Sequence, residues 1–169
     1  ESINVIKTMQ SLHLPKSYID KSIRNGSRDN SRVVMHWDDS EYAGFSNVKP
    51  WIGPNKNKDL INVKAAQLDE NSILNYYKKL IKVYKSEPLV KDGVYKDLLP
   101  KHKKIFAYER SGEDELLLVI SNFSKNETKC NLMKKYSEYD CEVLLNNYNE
   151  VDFNLLKPYQ SVLLKLRRK

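Results

Sequence analysis

Three consecutive side chains near the start of the chain, Arg28, Asp29 and Asn30, are able to hold a polar ligand. Arginine presents a rigid planar fork of donors, which suits sugar hydroxyls or a carboxylate that itself binds them. The same residue types also form ordinary surface salt bridges, which are common and contribute little. The residues alone favour the salt bridge, so a binding role needs further support.

Two adjacent carboxylates, Asp38 and Asp39, raise the question of acid–base catalysis. Side chains that are neighbours in sequence usually point in different directions. Asp is also a frequent turn residue, because its carboxylate bonds to the backbone two residues further on. We therefore interpret Asp38 as a turn or capping residue and not as half of a catalytic pair.

Three large aromatic residues, Trp37, Phe45 and Trp51, lie within residues 27–51, a stretch that has no clear helical or strand period. Disordered linkers contain few large aromatic residues, and a long ordered loop is usually functional. The stretch therefore predicts a polar binding loop that these three rings hold down. Stacking of the two tryptophans on sugar rings is the alternative to anchoring.

Helices are predicted on both sides of this loop. Apolar residues recur at helical spacing within residues 1–12, and a second helix over residues 18–23 has Ser17 as its cap and Asn25-Gly26 as its end. Residues 61–63 are interpreted as an extended segment. The clearest helix follows, capped by Asp69 or Asn71 and closed by Pro88. Its wide apolar face contains Ile73, Tyr76, Tyr77, Leu80, Ile81 and Tyr84.

Strands are predicted after Pro88, where the hydrophobic period changes from about 3.6 to 2. The segments are residues 94–99, 105–110, 116–123, 141–145 and 161–166. The segment at 116–120 is apolar on both faces, which indicates a central strand that is covered on both sides. Several short strands separated by turns are typical of an antiparallel sandwich.

The loop residues also resemble a known family. Residues 27–40 have the pattern Ser-Arg-Asp-Asn-x-Arg-x-x-Met-x-Trp-Asp-Asp-Ser, and Ala-Gly-Phe, Pro-Trp-Ile and Ile-Asn-Val follow in order up to residue 63. This pattern resembles the α-glucosidase branch of the α-amylase family, which includes oligo-1,6-glucosidases, trehalose-6-phosphate hydrolases and dextran glucosidases. The chain departs from it at Val33-Val34, where Thr-Pro is usual, and at His36, where Gln is usual.

The resemblance implies an α+β fragment with two parts. Residues 1–87 would be helices and the active-site loop from the end of a (β/α)8 catalytic barrel, including its last helix, which would pack on barrel strands absent from this chain. Residues 88–169 would be an antiparallel β-sandwich C-terminal domain that braces the barrel. The catalytic carboxylates would lie upstream of this chain, so the fragment alone is expected to be inactive.

The resemblance also implies the chemistry of the parent protein. That protein would hydrolyse short α-linked oligosaccharides with retention of configuration. Arg28 would bind the substrate, and the loop would be shaped by Asp29, Asn30, Trp37, Phe45 and Trp51. A carbohydrate-binding or purely structural β-sandwich module is the alternative, although both tryptophans lie before the β region.

Composition limits the other classes of partner. The net charge is +7, but the lysines are spread among acids, so we expect a solvated basic surface and no nucleic-acid interface. No apolar run is long enough for a membrane helix. Cys130 and Cys141 have no metal-ligand spacing, and we expect free thiols in the cytoplasm rather than a disulfide across neighbouring strands. Neither a cofactor nor a metal is expected.

Overall fold

The computed structural model describes residues 2–169 and consists of two compact units, one ending at Asp69 and one running from Glu70 to Lys169. In the first unit the elements are α1 (Ser2–Ser11), α2 (Lys16–Gly26), a 3₁₀ helix (Arg28–Ser31) and α3 (Val63–Leu68). In the second unit the helices are α4 (Ile73–Ser86), α5 (Leu89–Asp92) and a 3₁₀ helix (Leu132–Tyr136). The strands are β1 (Val94–Asp97), β2 (Ile105–Ser111), β3 (Glu115–Asn122), β4 (Thr128–Lys129), β5 (Tyr139–Asn146), β6 (Leu155–Leu156) and β7 (Ser161–Arg168).

The helices of the first unit differ in detail from those predicted. The first predicted helix corresponds to α1, and Glu1 lies outside the described residues. The second begins before Ser17, which lies inside α2 and does not cap it; Pro15 holds the capping position without a side-chain bond. The extended segment predicted at residues 61–63 is confirmed for Asn62, whose backbone is extended, and is wrong for Val63, which begins α3. Asn62 caps α3, because its Oδ1 accepts the backbone N–H of Ala65 at 2.8 Å.

The five predicted strands are confirmed as a single antiparallel sheet with the order β1-β2-β3-β7-β5. A second, two-stranded sheet pairs β4 with β6 and was not predicted, since two residues carry no detectable period. The second layer of the predicted sandwich is therefore small: it consists of this ribbon and the 3₁₀ helix at Leu132–Tyr136, which pack on the larger sheet.

The core of the second unit follows from strand alternation. Alternate residues of β2, β3 and β7 point toward the small layer, and the core contains Ile105, Ala107, Leu116, Leu118, Ile120, Val162, Leu164 and Leu166. Strand β3 lies at the centre of the sheet, and Leu117 on its other face is also buried. The prediction of a central strand covered on both sides is confirmed.

Helix α4 covers part of this other face of the sheet. Ser72 caps the helix by accepting the N–H of Asn75 at 3.2 Å, so the predicted caps Asp69 and Asn71 are wrong. Tyr76 and Leu80 face Leu117 and Leu163 across a cleft of about 280 Å³. We expected this helix to lack a partner in the chain, but one of its sides lies on the C-terminal sheet.

Charged side chains fasten the end of α4 to the sheet. Lys165 of β7 forms ion pairs with Glu87 at 2.9 Å and with Glu115 at 3.0 Å, and the side chains of Lys165 and Glu87 are only 11% and 16% exposed. The hydrogen bond to Glu87 raises the pKa of Lys165, so the lysine remains charged. Arg110 adds two bonds to the carbonyls of Leu89 and Lys91 in α5, both at 3.1 Å.

These contacts hold α4 and α5 on the sheet. The domain boundary after residue 87 concerns the parent protein and stays a prediction. In the structure the compact units divide between Asp69 and Glu70, so that α4 stays with the sheet. Among residues 2–169, no helix combines the length and the apolar character that crossing a bilayer requires.

We expect Lys165→Met to destabilise the second unit by about 2 kcal/mol, because it leaves the partly buried carboxylate of Glu87 without its cation and removes one of the two cations of Glu115. The matched control is Arg167→Met. Arg167 belongs to the same cluster but is half exposed, and loss of such a pair should cost less than about 1 kcal/mol. Native-state hydrogen exchange of the β3 amides is the measurement. Equal losses in both variants would show that burial of the Lys165 cluster is unimportant.

Candidate functional site

The candidate site is a cavity of about 370 Å³ in the first unit, between α1, α2 and the 3₁₀ helix that follows them. Of the predicted site residues it brings together Arg28, Asp29 and Trp51. Asn30, Trp37 and Phe45 do not line it. The remaining lining residues are Val5, Met9, Ser22, Ile23, Gly26, Ser27 and Arg32.

A single 3₁₀ turn positions the charged residues of this cavity. Ser27 caps the turn, since its Oγ accepts the N–H of Asp29 at 3.3 Å. Asn30 fastens it to the preceding helix, because its Nδ2 donates to the carbonyl of Arg24 at 2.7 Å. Asn30 therefore shapes the turn from outside the cavity. Asp29 lies 3.6 Å from Arg32, an exposed pair that contributes little to stability.

Arg32 is a site residue that sequence reasoning did not single out. It lines the cavity together with Arg28, so two guanidinium groups and one carboxylate border the same space. The signal in the sequence was the Arg-Asp-Asn-x-Arg run, which places two arginines within one short segment. Val5 and Met9 belong to the apolar stripe of α1, and no local pattern predicts that this stripe lies beside the arginines.

Asp38 organises the turn that follows. Its Oδ1 accepts the backbone N–H of Ser40 at 2.9 Å and the Ser40 hydroxyl at 2.5 Å. These bonds, the one from the Ser40 side chain first, lower the pKa of Asp38 below its ordinary value. The Ser40 hydroxyl oxygen in turn accepts the N–H of Gly44 at 2.8 Å. The geometry is that of a turn residue, as predicted for Asp38, and Asp38 does not line the cavity.

His36 joins this turn to the segment near α3. Its Nδ1 lies 3.0 Å from the carbonyl oxygen of Ile61, and its Nε2 lies 3.1 Å from the backbone nitrogen of Asn55. A carbonyl oxygen only accepts, so the ring carries its hydrogen on Nδ1 and accepts on Nε2. The ring thus supplies one donor and one acceptor, which tie residues 55 and 61 together.

The three aromatic residues that were predicted to hold the loop down are exposed in this chain. Trp37, Phe45 and Trp51 are 51%, 53% and 80% exposed. Within residues 2–69 the loop buries the small side chain of Ala43 and that of Val34, while backbone hydrogen bonds such as Trp37 N–H to Ala43 carbonyl at 2.8 Å fix its path. Anchoring by the aromatic rings thus has no support from contacts among these residues.

Residues 2–169 contain no group of three or more His, Cys, Asp or Glu side chains arranged to hold an ion. The cavity is bordered by two guanidinium groups, a carboxylate, two hydroxyl groups and an indole ring. Such a set can donate to hydroxyl or anionic oxygens and can present an apolar surface to a ring. It lacks the two facing carboxylates that hydrolysis of a glycosidic bond requires.

Two family models match the chain. The model described as "Alpha amylase, catalytic domain" matches residues 4–93, and the model described as "Alpha-amylase SusG C-terminal domain" matches residues 105–163. The first match contains the cavity, the loop, α4 and α5. The second contains most of the larger sheet.

Individual relatives agree with these matches. The chain is 36% identical to an oligo-1,6-glucosidase of Bacillus cereus, with 99% of this chain and 32% of that protein covered. It is also 36% identical to a trehalose-6-phosphate hydrolase of Bacillus subtilis, with 99% and 31% covered. The crystal structure of trehalose-6-phosphate hydrolase from Bacillus licheniformis superposes with a TM-score of 0.88 at 35% identity over 99% of this chain and 31% of that one. The chain thus spans about a third of the length of these relatives.

We expect Gly44→Ala to destabilise the loop by about 1–2 kcal/mol. Gly44 has a φ of +65°, and a Cβ there would lie 2.8–3.1 Å from the carboxylate of Asp38. Gly53→Ala is the control, since a Cβ at Gly53 meets nothing within 4 Å. Denaturation followed by tryptophan fluorescence is suitable, because both tryptophans lie in the first unit. An unchanged midpoint for Gly44→Ala would contradict the role assigned to the Asp38 turn.

Proposed function

Because the chain belongs to the α-amylase family of glycoside hydrolases, we propose that it is the carboxy-terminal part of a retaining α-glucosidase that acts on short α-glucosides, in the manner of an oligo-1,6-glucosidase. The observation that carries the proposal is the match along 99% of this chain to proteins named for that activity. The relatives also include trehalose-6-phosphate hydrolases, so a phosphorylated α-glucoside is the alternative substrate of the parent protein.

Retaining hydrolysis needs a nucleophilic carboxylate and a carboxylic acid about 5 Å apart, and it passes through a covalent glycosyl-enzyme. We propose that both groups lie upstream of this chain in the parent protein. Asp38 is unsuitable for either role, because its carboxylate is already bonded to Ser40 within its own turn.

The chain would contribute part of the substrate pocket. Arg28 borders the cavity on a short, capped turn, and its planar fork of donors is suited to the hydroxyls of a terminal glucose or to a carboxylate that binds them. Asp29 and Asn30 hold the turn. Trp37, Phe45 and Trp51 are exposed in this chain, and in the parent protein we propose that they pack against the rest of the catalytic domain.

A non-catalytic carbohydrate-binding module is the second candidate. One observation favours it: several aromatic rings of the second unit are exposed, including Phe106 and Phe123. Against it, the cavity and the loop belong to the part matched by the catalytic-domain model, which a free binding module would not carry. We also propose a cytoplasmic location, to which the two unpaired thiols of Cys130 and Cys141 are suited.

The 169-residue chain is expected to show no turnover of p-nitrophenyl α-glucoside, whereas the longer polypeptide encoded by the same gene should hydrolyse isomaltose. The reason is that the carboxylate pair is supplied upstream. A parallel assay with trehalose-6-phosphate shows whether the longer polypeptide shares its substrate with the oligo-1,6-glucosidases or with the trehalose-6-phosphate hydrolases. Turnover by the short chain above a no-protein control, in a preparation free of the longer protein, would refute the proposal.

In that longer protein, Arg28→Lys should lower kcat/KM on isomaltose by about 10²-fold, because loss of a buried charged hydrogen bond costs roughly 2–3 kcal/mol. The swap keeps the charge and removes the planar fork. Asp38→Asn should lower the melting temperature and leave kcat/KM within about threefold, since Asp38 acts on the turn. A nearly normal Arg28→Lys enzyme, or an inactive Asp38→Asn enzyme of full stability, would reverse the roles assigned to these two residues.

A further inference from the structure

The core-facing side of the larger sheet changes from apolar to charged at one end. In β2, Ala107 is completely buried in the apolar core, and the next residue on the same side is Glu109, which is only 9% exposed. Lys96 of β1 pairs with Glu109 across the strands, and its Nζ lies 3.3 Å from Oε1 of Glu109. A strand that kept its apolar period would have a hydrophobic residue at position 109.

The strands of the other half of the sheet contribute to the same end. Arg168 of β7 lies two residues after the core residue Leu166 and therefore points to the same side. It pairs with Tyr139 of β5, and its Nε donates to the Tyr139 hydroxyl at 3.3 Å. Tyr136, from the 3₁₀ helix of the small layer, packs edge-on against Tyr139 with ring centroids 5.8 Å apart. Side chains that are distant in sequence thus converge here.

A cavity of about 450 Å³ opens at this end and is lined by both layers. Its volume lies within the range of about 300–1,000 Å³ that is typical of small-molecule sites. The name end cavity is used below for the space bordered by Lys96, Glu109, Tyr136, Tyr139 and Arg168. A second cavity of about 700 Å³ shares Tyr139 and Arg168 with it, so there is room for a ligand that extends beyond the end cavity.

Stability does not account for the carboxylate of Glu109. Enclosing a charge is unfavourable, and a well-packed hydrophobic residue in its place is often at least as stable. Its cation Lys96 has a side chain that is 68% exposed, so the ion pair contributes little. A position that breaks the local pattern without a gain in stability is expected to be functional.

A tyrosine holds this carboxylate in a fixed orientation at the wall of the cavity. The hydroxyl of Tyr136 donates to Oε2 of Glu109 at 2.5 Å. Burial, followed by this bond, raises the pKa of Tyr136, so the phenol keeps its proton and remains the donor. Glu109 therefore presents oriented acceptor oxygens, and a carboxylate with two oxygens accepts further bonds besides those from Tyr136 and Lys96.

The lining of the end cavity suits a ligand that carries many hydroxyl groups. A carboxylate accepts hydrogen bonds, an ammonium or guanidinium group donates them, and a hydroxyl group does both. The cavity is lined by carboxylates and by cations, which include Glu109, Glu113 and Asp114 on one hand and Lys96, Lys135 and Arg168 on the other. The two tyrosine rings add an apolar surface, on which the C–H face of a pyranose ring can pack.

Charged ligands are less suited to this lining. The carboxylates repel an anion such as phosphate, and the ammonium and guanidinium groups repel an organic cation. In the part of the chain that the structure describes, no three His, Cys, Asp or Glu side chains are arranged for a metal ion. A neutral ligand with donors and acceptors remains the best match.

We propose that the end cavity binds a short neutral oligosaccharide, with Glu109 and Arg168 bonded to its hydroxyl groups and Tyr139 packed on a sugar ring. The choice of α-linked glucose as the sugar unit rests on the proposed function, whereas the existence of the site does not. The second unit would then bind sugar as well as support the fold. The sequence analysis did not detect this site, because its side chains come from four strands and a 3₁₀ helix.

Amide NMR of the 169-residue chain during titration with isomaltotriose tests the proposal. Saturable shifts are expected at the amides of Glu109, Tyr136, Tyr139 and Arg168. The amide of Asn122 is the internal control, since it lies at the opposite end of the sheet and should not shift. Absence of saturable shifts at the end cavity in a large excess of sugar would overturn the proposal, as would shifts confined to the cavity of the first unit.

A matched pair of substitutions assigns the binding to this side of β7. Arg168→Gln should weaken isomaltotriose binding about tenfold, the scale of one hydrogen bond to a charged group. Arg167→Gln removes the same charge from the neighbouring residue, which points to the other side of the sheet, and should leave the affinity within about twofold. Both side chains are exposed, so folding is expected to be retained. Equal losses in the two variants would overturn the proposal.

Glu109→Gln tests the carboxylate while keeping its shape. It should also weaken binding about tenfold, because a charged acceptor forms stronger hydrogen bonds than an amide oxygen. Unchanged affinity in a folded Glu109→Gln protein would contradict the role of Glu109. The Arg168→Gln result decides the proposal if this variant does not fold.

Titrations with inorganic phosphate and with spermidine test the two charged classes of ligand. Shifts of the same amides at lower concentrations of either compound than of isomaltotriose would make the end cavity a charged-ligand site and overturn the proposal. A longer polypeptide from the same gene that hydrolyses isomaltose, without sugar-dependent shifts at the end cavity, would refute this proposal alone. An inactive longer polypeptide whose end cavity binds isomaltotriose would refute the proposed function alone.

Discussion

The ion cluster around Lys165 is the interaction on which the arrangement of the second unit depends. A lysine that is almost fully enclosed costs free energy unless carboxylates compensate it, and here Glu87 and Glu115 do so from the end of α4 and the start of β3. The cluster fixes where α4 ends relative to the sheet. Because α4 is thereby held on the sheet, this helix of the catalytic-domain match and the strands of the C-terminal-domain match lie in one compact unit.

The first unit is organised by polar contacts and has little apolar burial. Its loop path is determined by hydrogen bonds that the side chains of His36, Asp38 and Asn62 form with the backbone, together with backbone–backbone bonds, while its largest aromatic side chains remain exposed. Hydrogen bonds that water can reach contribute little net stability each, so this unit is expected to rely on further packing. The cavity that holds Arg28 and Arg32 is thus built on a scaffold whose apolar surface is only partly covered.

Exposed apolar side chains occur in both units. The chain spans about a third of the length of its relatives, and exposed apolar surface that is contiguous usually marks a site of interaction. Trp51 in the first unit and Phe123 in the second are examples, since neither ring finds a layer to pack against within residues 2–169.

The sequence by itself determined the family, the five main strands, helix α4 and the turn role of Asp38, because each is encoded by local spacing: an ordered motif, a period of 2 or 3.6, or an Asp before a Ser. It also placed Arg28 in a polar loop. Tertiary structure alone decided that Arg32 and the α1 stripe share a cavity with Arg28, that His36 ties residues 55 and 61 together, and that α4 rests on the C-terminal sheet. These features join residues that are far apart in the chain, and no local period records which distant partner a hydrogen bond or an apolar face will meet.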